Sequence, residues 1–237
     1  MVERIGDATL FLGDCLDILP TLGPVDAVVT DPPYGVSILR PDGTMGGTSR
    51  SVKRWAGQIN PVYADFSGDD KPIDPAPLLA IGTEHILWGG NYIANKLPAS
   101  GAWLTWYKRM NGQSNDFGDC EHAWTDLDMP SKVFQHLWMG MLRASEQGEH
   151  HHPTQKPVAL MLWCLGFIEG KRVADPYMGS GPVGCACVRL GLQYTGIEKE
   201  PKYFDIACKR IEREYAQLKL FPAVEKRESV QLNLEDA

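Results

Sequence analysis

The sequence predicts an α/β fold, a mainly parallel sheet with helices on both faces. Short apolar runs alternate with helix-like stretches along the chain, the order that βαβ units produce. The runs are rich in Val, Ile and Leu, as buried parallel strands require. Several also end in an acid, followed by Pro after two of them, where a ligand can meet strand ends. The 237 residues suit one well-filled core, and 43% hydrophobic with 22% charged residues is an ordinary globular composition.

Taken in order, ATLFLGD (8–14) reads as a strand closed by Asp14, followed by a short helix over CLDILPTL. VDAVVTDPPYG (25–35) is a buried strand running into a double-proline turn. Residues 36–63 are Gly-, Ser-, Arg- and Pro-rich without periodicity and read as a long surface loop. HILWGGN (85–91) is a strand, NYIANKLP a helix and GAWLTWYK (101–108) a strand. DCEHAWT (119–125) and KVFQHLWM (132–139) read as antiparallel edge strands. A helix follows from about Pro157 to Ile168, then the strand KRVADPY (171–177) and a helix from Pro182 to Leu190. The strand QYTGIEKE (193–200) and a helix from Pro201 to about Leu218 complete the pattern. The expected organisation is a single domain over 1–221 and a charged, frayed tail over 222–237.

Composition narrows the function. No apolar run reaches the roughly 20 residues that a bilayer demands, and the first residues lack a signal-peptide pattern, so a cytoplasmic protein without a membrane partner is expected. Six scattered cysteines show no paired CxxC spacing, and no metal is expected. Net charge is −7, yet phosphate binding needs local rather than total charge. Arg40, Arg50, Lys53 and Arg54 stand against Asp42 alone between Val36 and Pro61, a local excess of three positive charges. By themselves these residues read as a solvated loop.

Two motifs carry chemistry. In Asp175-Pro176-Tyr177-Met178-Gly179-Ser180-Gly181-Pro182 a strand gives way to a glycine turn and then to a helix with proline at its first position. Such a joint offers close backbone approach and free N–H groups to a ligand. Glu198, ending the next strand, is placed to accept both hydroxyls of a ribose. The turn lacks the GxGxxG pattern of NAD sites. In Asp31-Pro32-Pro33-Tyr34 the prolines lock an extended turn. That turn sets a carboxylate, a free carbonyl and an aromatic face together, the equipment for holding a flat base through its amino group.

Together these motifs resemble those of the DNA amino-methyltransferases. In that family a D/N/S-P-P-Y/F/W tetrapeptide is catalytic, and a D-P-F-x-G-S-G turn binds S-adenosylmethionine. The tetrapeptide here precedes the turn by about 140 residues, which is similar to the permuted beta subgroup. His152-Pro153-Thr154-Gln155-Lys156-Pro157 resembles a segment preceding the cofactor turn in that subgroup. Asp14 resembles its upstream strand-end acid near the cofactor adenine, and WGGN (88–91) and WLTWYKR match its middle segments. The likeness covers roughly residues 7–215, with Tyr177 standing where Phe is usual and Pro182 where a small residue is usual.

The resemblance implies a Rossmann-like, mainly parallel seven-stranded sheet. It places Asp175, Gly179 and Gly181 along the methionine end of the cofactor, Glu198 on its ribose, and Pro176, Tyr177 and Ser180 among the cofactor-binding residues. It sets Asp14, His152, Thr154 and Lys156 beside the cofactor, the last two near its carboxylate. Asp31, Pro32, Pro33 and Tyr34 become the catalytic set, and DNA becomes the partner, with self-association as a homodimer left open. Arg40, Arg50, Lys53 and Arg54 then turn from solvated charges into expected DNA contacts. Adenine N6 is the expected target, with cytosine N4 as the alternative, since cytosine-directed members more often carry Ser at the first tetrapeptide position. Protein-glutamine and RNA methyltransferases resemble the chain less, because they begin with the cofactor turn and use Asn. An inactive DNA-binding module fits poorly with two intact motifs.

Overall fold

The computed structural model describes residues 1–35, 71–110, 118–139, 142–148, 151 and 155–220. Strands β1 (Val2–Ile5), β2 (Ala8–Leu12) and β3 (Ala27–Thr30) come first, with the short helix α1 (Cys15–Ile18) between the last two. Helix α2 (Ala76–Leu79) and strands β4 (Glu84–Trp88), β5 (Ala102–Tyr107), β6 (Cys120–Thr125) and β7 (Lys132–Gln135) follow. The ribbon β8 (Trp138–Met139) and β9 (Leu142–Arg143) leads to α3 (Val158–Leu165). Strand β10 (Arg172–Asp175), α4 (Pro182–Leu190), β11 (Gln193–Glu198) and α5 (Pro201–Leu220) complete the described chain.

The main sheet runs β1-β2-β11-β10-β3-β4-β6-β5-β7. Pairing is parallel from β2 through β11, β10 and β3 to β4. Only β1 and β6 run against the common direction. The sheet therefore has nine strands among the described residues where seven were expected, and the surplus lies at its edges. Strand β1 went unseen because its side chains are mostly exposed and show no alternation. Strand β6 is antiparallel as expected but is interior, between β4 and β5. The 132–139 segment splits: Lys132–Gln135 forms an edge strand parallel to β5, and Trp138–Met139 turns into a separate ribbon. The helix expected over 91–98 is two 3₁₀ turns, Gly90–Tyr92 and Ala94–Lys96, neither with a side-chain cap.

Alternation along the strands divides the core into two layers. Val29, Ile86, Trp88 and Val173 face α3, α4 and α5, where Leu160, Met161, Val183, Phe204 and Ile211 meet them. Val28, Leu87 and Ala174 face the other way, under Cys15 and Leu19 near α1 and Leu78 of α2. Helices thus cover both faces, as the apolar runs demand. From β10 the chain continues to β11 on one side, and from β3 to β4 on the other. The carboxyl ends of β3 and β10 therefore meet at a topological switch point, where an open α/β sheet leaves a crevice.

Candidate active site

That crevice is a cavity of ≈ 360 Å³ lined by both motifs: Asp31 to Tyr34 from the end of β3, and Asp175 to Ser180 from the end of β10. Residues far apart in sequence are joined through a buried contact, the Thr30 hydroxyl donating to Asp175 Oδ1 at 2.6 Å. Tyr194 donates to the other Asp175 oxygen at 3.3 Å. Burial pushes the Asp175 carboxyl up to about 7 against the pull of these donors.

The double-proline turn folds Tyr34 back onto Asp31, whose Oδ1 accepts the phenol hydroxyl at 2.5 Å. Asp31 Oδ2 accepts from the Lys156 ammonium at 2.5 Å, and the same ammonium donates to the Tyr34 oxygen at 2.8 Å. The ring expected to stack on a base stacks on Tyr92, centroids 4.9 Å apart. WGGN makes room for this arrangement. A Cβ on Gly89 would strike the Tyr34 ring, and one on Gly90 would strike Trp124. Gly89 also has a φ of +71°, so glycine is required there twice over.

The second turn behaves differently from its sequence reading. The expected free N–H groups are largely engaged: Tyr177 on Thr30 and Asp175, Met178 on the Ile197 carbonyl, Gly179 on Glu198 Oε2 at 2.8 Å, and Gly181 on the Met178 carbonyl. What the turn offers is space. Gly179 has a φ of +53°, and a Cβ there would meet nothing within 4 Å. Gly181, at +77°, caps α4 and packs on Ala207 of α5. Pro176 lines the cavity, and Pro182 opens α4 as expected.

Glu198 ends β11 with Oε1 accepting the Glu200 N–H and Oε2 that of Gly179, both at 2.8 Å. Burial raises its carboxyl above the ordinary value while those amides pull it down. Each oxygen retains a lone pair for a hydroxyl. Asp14 lies two residues past the end of the paired strand β2, capping α1 through Leu16 N at 3.0 Å and meeting Lys199 at 3.0 Å.

Lys156 lines the same cavity, and its ammonium meets the Asp31–Tyr34 pair, with Glu121 Oε2 at 3.1 Å as a further partner. His152, Thr154, Arg40, Arg50, Lys53 and Arg54 lie outside the described residues. Gly35 packs so closely on Lys71 and Pro72 that a Cβ would not fit. Among the described residues no group of His, Cys, Asp and Glu could hold a metal ion.

Sequence reasoning missed a second buried network. Arg210 of α5 donates to the Ser180 carbonyl at 2.8 Å, to Ser180 Oγ at 3.0 Å and to Glu146 at 2.7 Å. Glu146 in turn accepts Val158 N at the start of α3, at 2.8 Å. An arginine and a glutamate 64 positions apart leave no local pattern. The one signal was the buried face of α5, where an arginine stood among apolar positions.

The family described as DNA methylase matches residues 84–209, more than half of the chain. That stretch holds the second turn but not the Asp31 motif, which the fold brings to it. The type II methyltransferase M2.DpnII of Streptococcus pneumoniae is 38% identical over 86 residues, covering 35% of this chain and 32% of that protein. The match therefore spans about a third of the length of that relative (32%). Two solved structures share the fold. One is a complex of M1.HpyAVI with SAM, with TM-score 0.53 and 23% identity over 86% of this chain and 98% of that one. The other is PvuII DNA methyltransferase (cytosine-N4-specific), with TM-score 0.54 and 14% identity over 91% and 93% of the respective chains.

Proposed function

We propose that this chain, which belongs to the DNA methylase family, transfers a methyl group from S-adenosylmethionine to the exocyclic amino group of adenine in DNA. One observation carries the reading: a carboxylate built to accept amino N–H bonds and a glycine turn open to a ligand line the same cavity. The order of the two motifs supports the permuted subgroup, and the arrangement supports a single methyltransferase domain.

The residues fit the cofactor. Gly179 opens onto free space where a side chain would intrude, and apolar Met161, Ile197 and Tyr203 line the wall. Asp14 and Glu198 would hold the nucleoside, Gly179 would line the methionine end, and Asp175 would hold the turn beneath it. S-adenosylmethionine supplies an electrophilic methyl group when bound. Asp31 accepts one N–H of the target amino group and the Pro32 carbonyl the other, which draws out the lone pair of its nitrogen. The base reaches them only after leaving the helix, at a cost of about a few kcal/mol in stacking and pairing. Alignment of this kind is worth roughly 7–11 kcal/mol in well-oriented systems.

A covalent step through cysteine has no support. The chain contains no Pro-Cys dipeptide, and Cys15, the cysteine in the cavity lining, has its thiol pushed up by burial. Adenine is favoured because a full carboxylate is the stronger acceptor for an amino group delocalised into a purine. The basic residues between 36 and 63, which follow the Asp31–Tyr34 turn directly in sequence, are assigned to DNA phosphates. As an enzyme of DNA it is assigned to the cytoplasm; among the described residues no helix is long and apolar enough to cross a membrane. Incubation with tritiated cofactor and DNA, RNA or protein tests the reading. Label should enter DNA; label confined to RNA or protein would overturn it.

A further inference from the structure

The Lys156 ammonium is almost fully enclosed, its side chain 3% exposed, and has three acceptors for three protons: Asp31 Oδ2 at 2.5 Å, the Tyr34 oxygen at 2.8 Å and Glu121 Oε2 at 3.1 Å. Trp88 and Tyr34 present ring faces to it at 5.6 and 5.4 Å. Glu121, from β6, gives its other oxygen to Lys108 at 2.8 Å. Two carboxylates and two ammoniums thus alternate from the cavity wall into the sheet: Asp31, Lys156, Glu121, Lys108. The chain of charges is neutral only while Lys156 is present.

We propose that Lys156, anchored by Glu121, is a positioning residue that keeps Asp31 ionised and fixes its carboxylate in the cavity. This role rests on the assignment of Asp31 as the acceptor of the target amino group, and it deepens that assignment. The charged groups facing Asp31 make the case. Among the described residues Lys156 is the one cation in contact with it; Glu121 from β6 and Asp175 from β10 are like charges in a poorly hydrated place. A carboxylate so surrounded holds its charge through the ammonium and the Tyr34 hydroxyl, since burial and like charge both favour the protonated form. A protonated Asp31 spends one oxygen as a donor, and the amino group loses its charged acceptor. Two carboxylates in turn hold the Lys156 ammonium above its ordinary value despite burial, so it stays charged while Asp31 works. Glu121 sets the strength of the device, because it shares the ammonium that Asp31 needs.

The test titrates the Asp31 carboxyl carbon by NMR in ¹³C-aspartate protein without cofactor, with Asp31→Asn assigning the resonance. Lys156→Gln should raise the Asp31 midpoint by roughly one to three pH units. Lys156→Arg should restore most of it. Glu121→Gln, which frees the ammonium for Asp31, should move the midpoint down, and added to Lys156→Gln it should cancel part of the rise. Methyl transfer by Lys156→Gln should then lose rate on the acid side, with cofactor affinity unchanged. An unmoved midpoint in both Lys156→Gln and Glu121→Gln would overturn the proposal, as would lost cofactor affinity with an unmoved midpoint, which would return Lys156 to the cofactor. If the wild-type protein methylates nothing while the midpoints move as stated, the positioning device stands and the assigned reaction falls.

Discussion

Two aspartates bracket strand β3, five positions apart, and they do opposite things. At its amino end Asp26 is spent on the fold. Its Oδ2 accepts Lys171 N at 3.0 Å and Arg172 N at 2.9 Å, and its Oδ1 takes the Arg172 guanidinium. Its carbonyl accepts Thr83 N at 2.8 Å. One residue thereby ties β3 to both neighbours, and these donors hold its carboxyl far below the ordinary range. Gly170 completes the closure, since a Cβ there would strike Asp26. At the carboxyl end, Asp31 meets side chains instead of amides, and it faces a cavity. Backbone donors are fixed by the sheet, whereas side-chain donors can share their acceptor with a ligand. On the proposed reading, the partner type, rather than the residue type, separates a structural carboxylate from a working one.

The largest effect should come at Asp31. Asp31→Ala should cut methyl transfer by roughly 10²–10³-fold or more, the scale of removing a single group aimed at the reacting atoms. Cofactor affinity should stay within a few-fold, and the melting temperature should change little because Lys156 keeps Glu121. Near-normal turnover would place the working carboxylate elsewhere. Gly179→Val comes next. A branched side chain at φ +53° would project into open cavity, so calorimetry should find cofactor binding lost in a folded protein. Unchanged binding would detach the turn from the cofactor.

A smaller effect is expected from Arg50, Lys53 and Arg54 replaced together by Ala. DNA affinity should fall, and each lost phosphate contact should flatten the log–log salt slope by about 0.9. An unchanged slope would return these residues to solvent. Smallest in activity is Asp26→Asn, which should methylate normally at low temperature but melt earlier. Its sign with pH is defined. The wild-type carboxyl titrates below its ordinary 3.8, so its stabilisation is full above that pH and lost as the pH falls further. The gap in melting temperature between the two proteins should narrow on acidification below about pH 4, and a gap that widened there would contradict the ion-pair reading.

The same contrast explains what the sequence could and could not reveal. Asp31 and Asp175 were legible because each ends an apolar strand and is followed by residues that force a turn. Their meeting followed from strand order, which periodicity does not encode; the alternation of α and β only implied a switch point somewhere. Asp26 carried no signal, since an acid before a strand resembles any loop acid until its amides are seen. Lys156 was assigned from the motif around it, and nothing local told that its side chain would also reach Asp31. Edge strands were the weakest part of the pattern, because β1 and β7 bury too little to alternate. The glycines of WGGN were visible as a motif but not as the floor beneath Tyr34, a contact between segments 55 positions apart.

The central claim is that the cavity at the end of β3 holds an adenine by its amino group. Unmethylated DNA treated with the wild-type protein and S-adenosylmethionine, digested to nucleosides and separated by mass, tests it directly. Methyl should appear on deoxyadenosine, at the amino nitrogen; methyl on deoxycytidine alone would contradict the account.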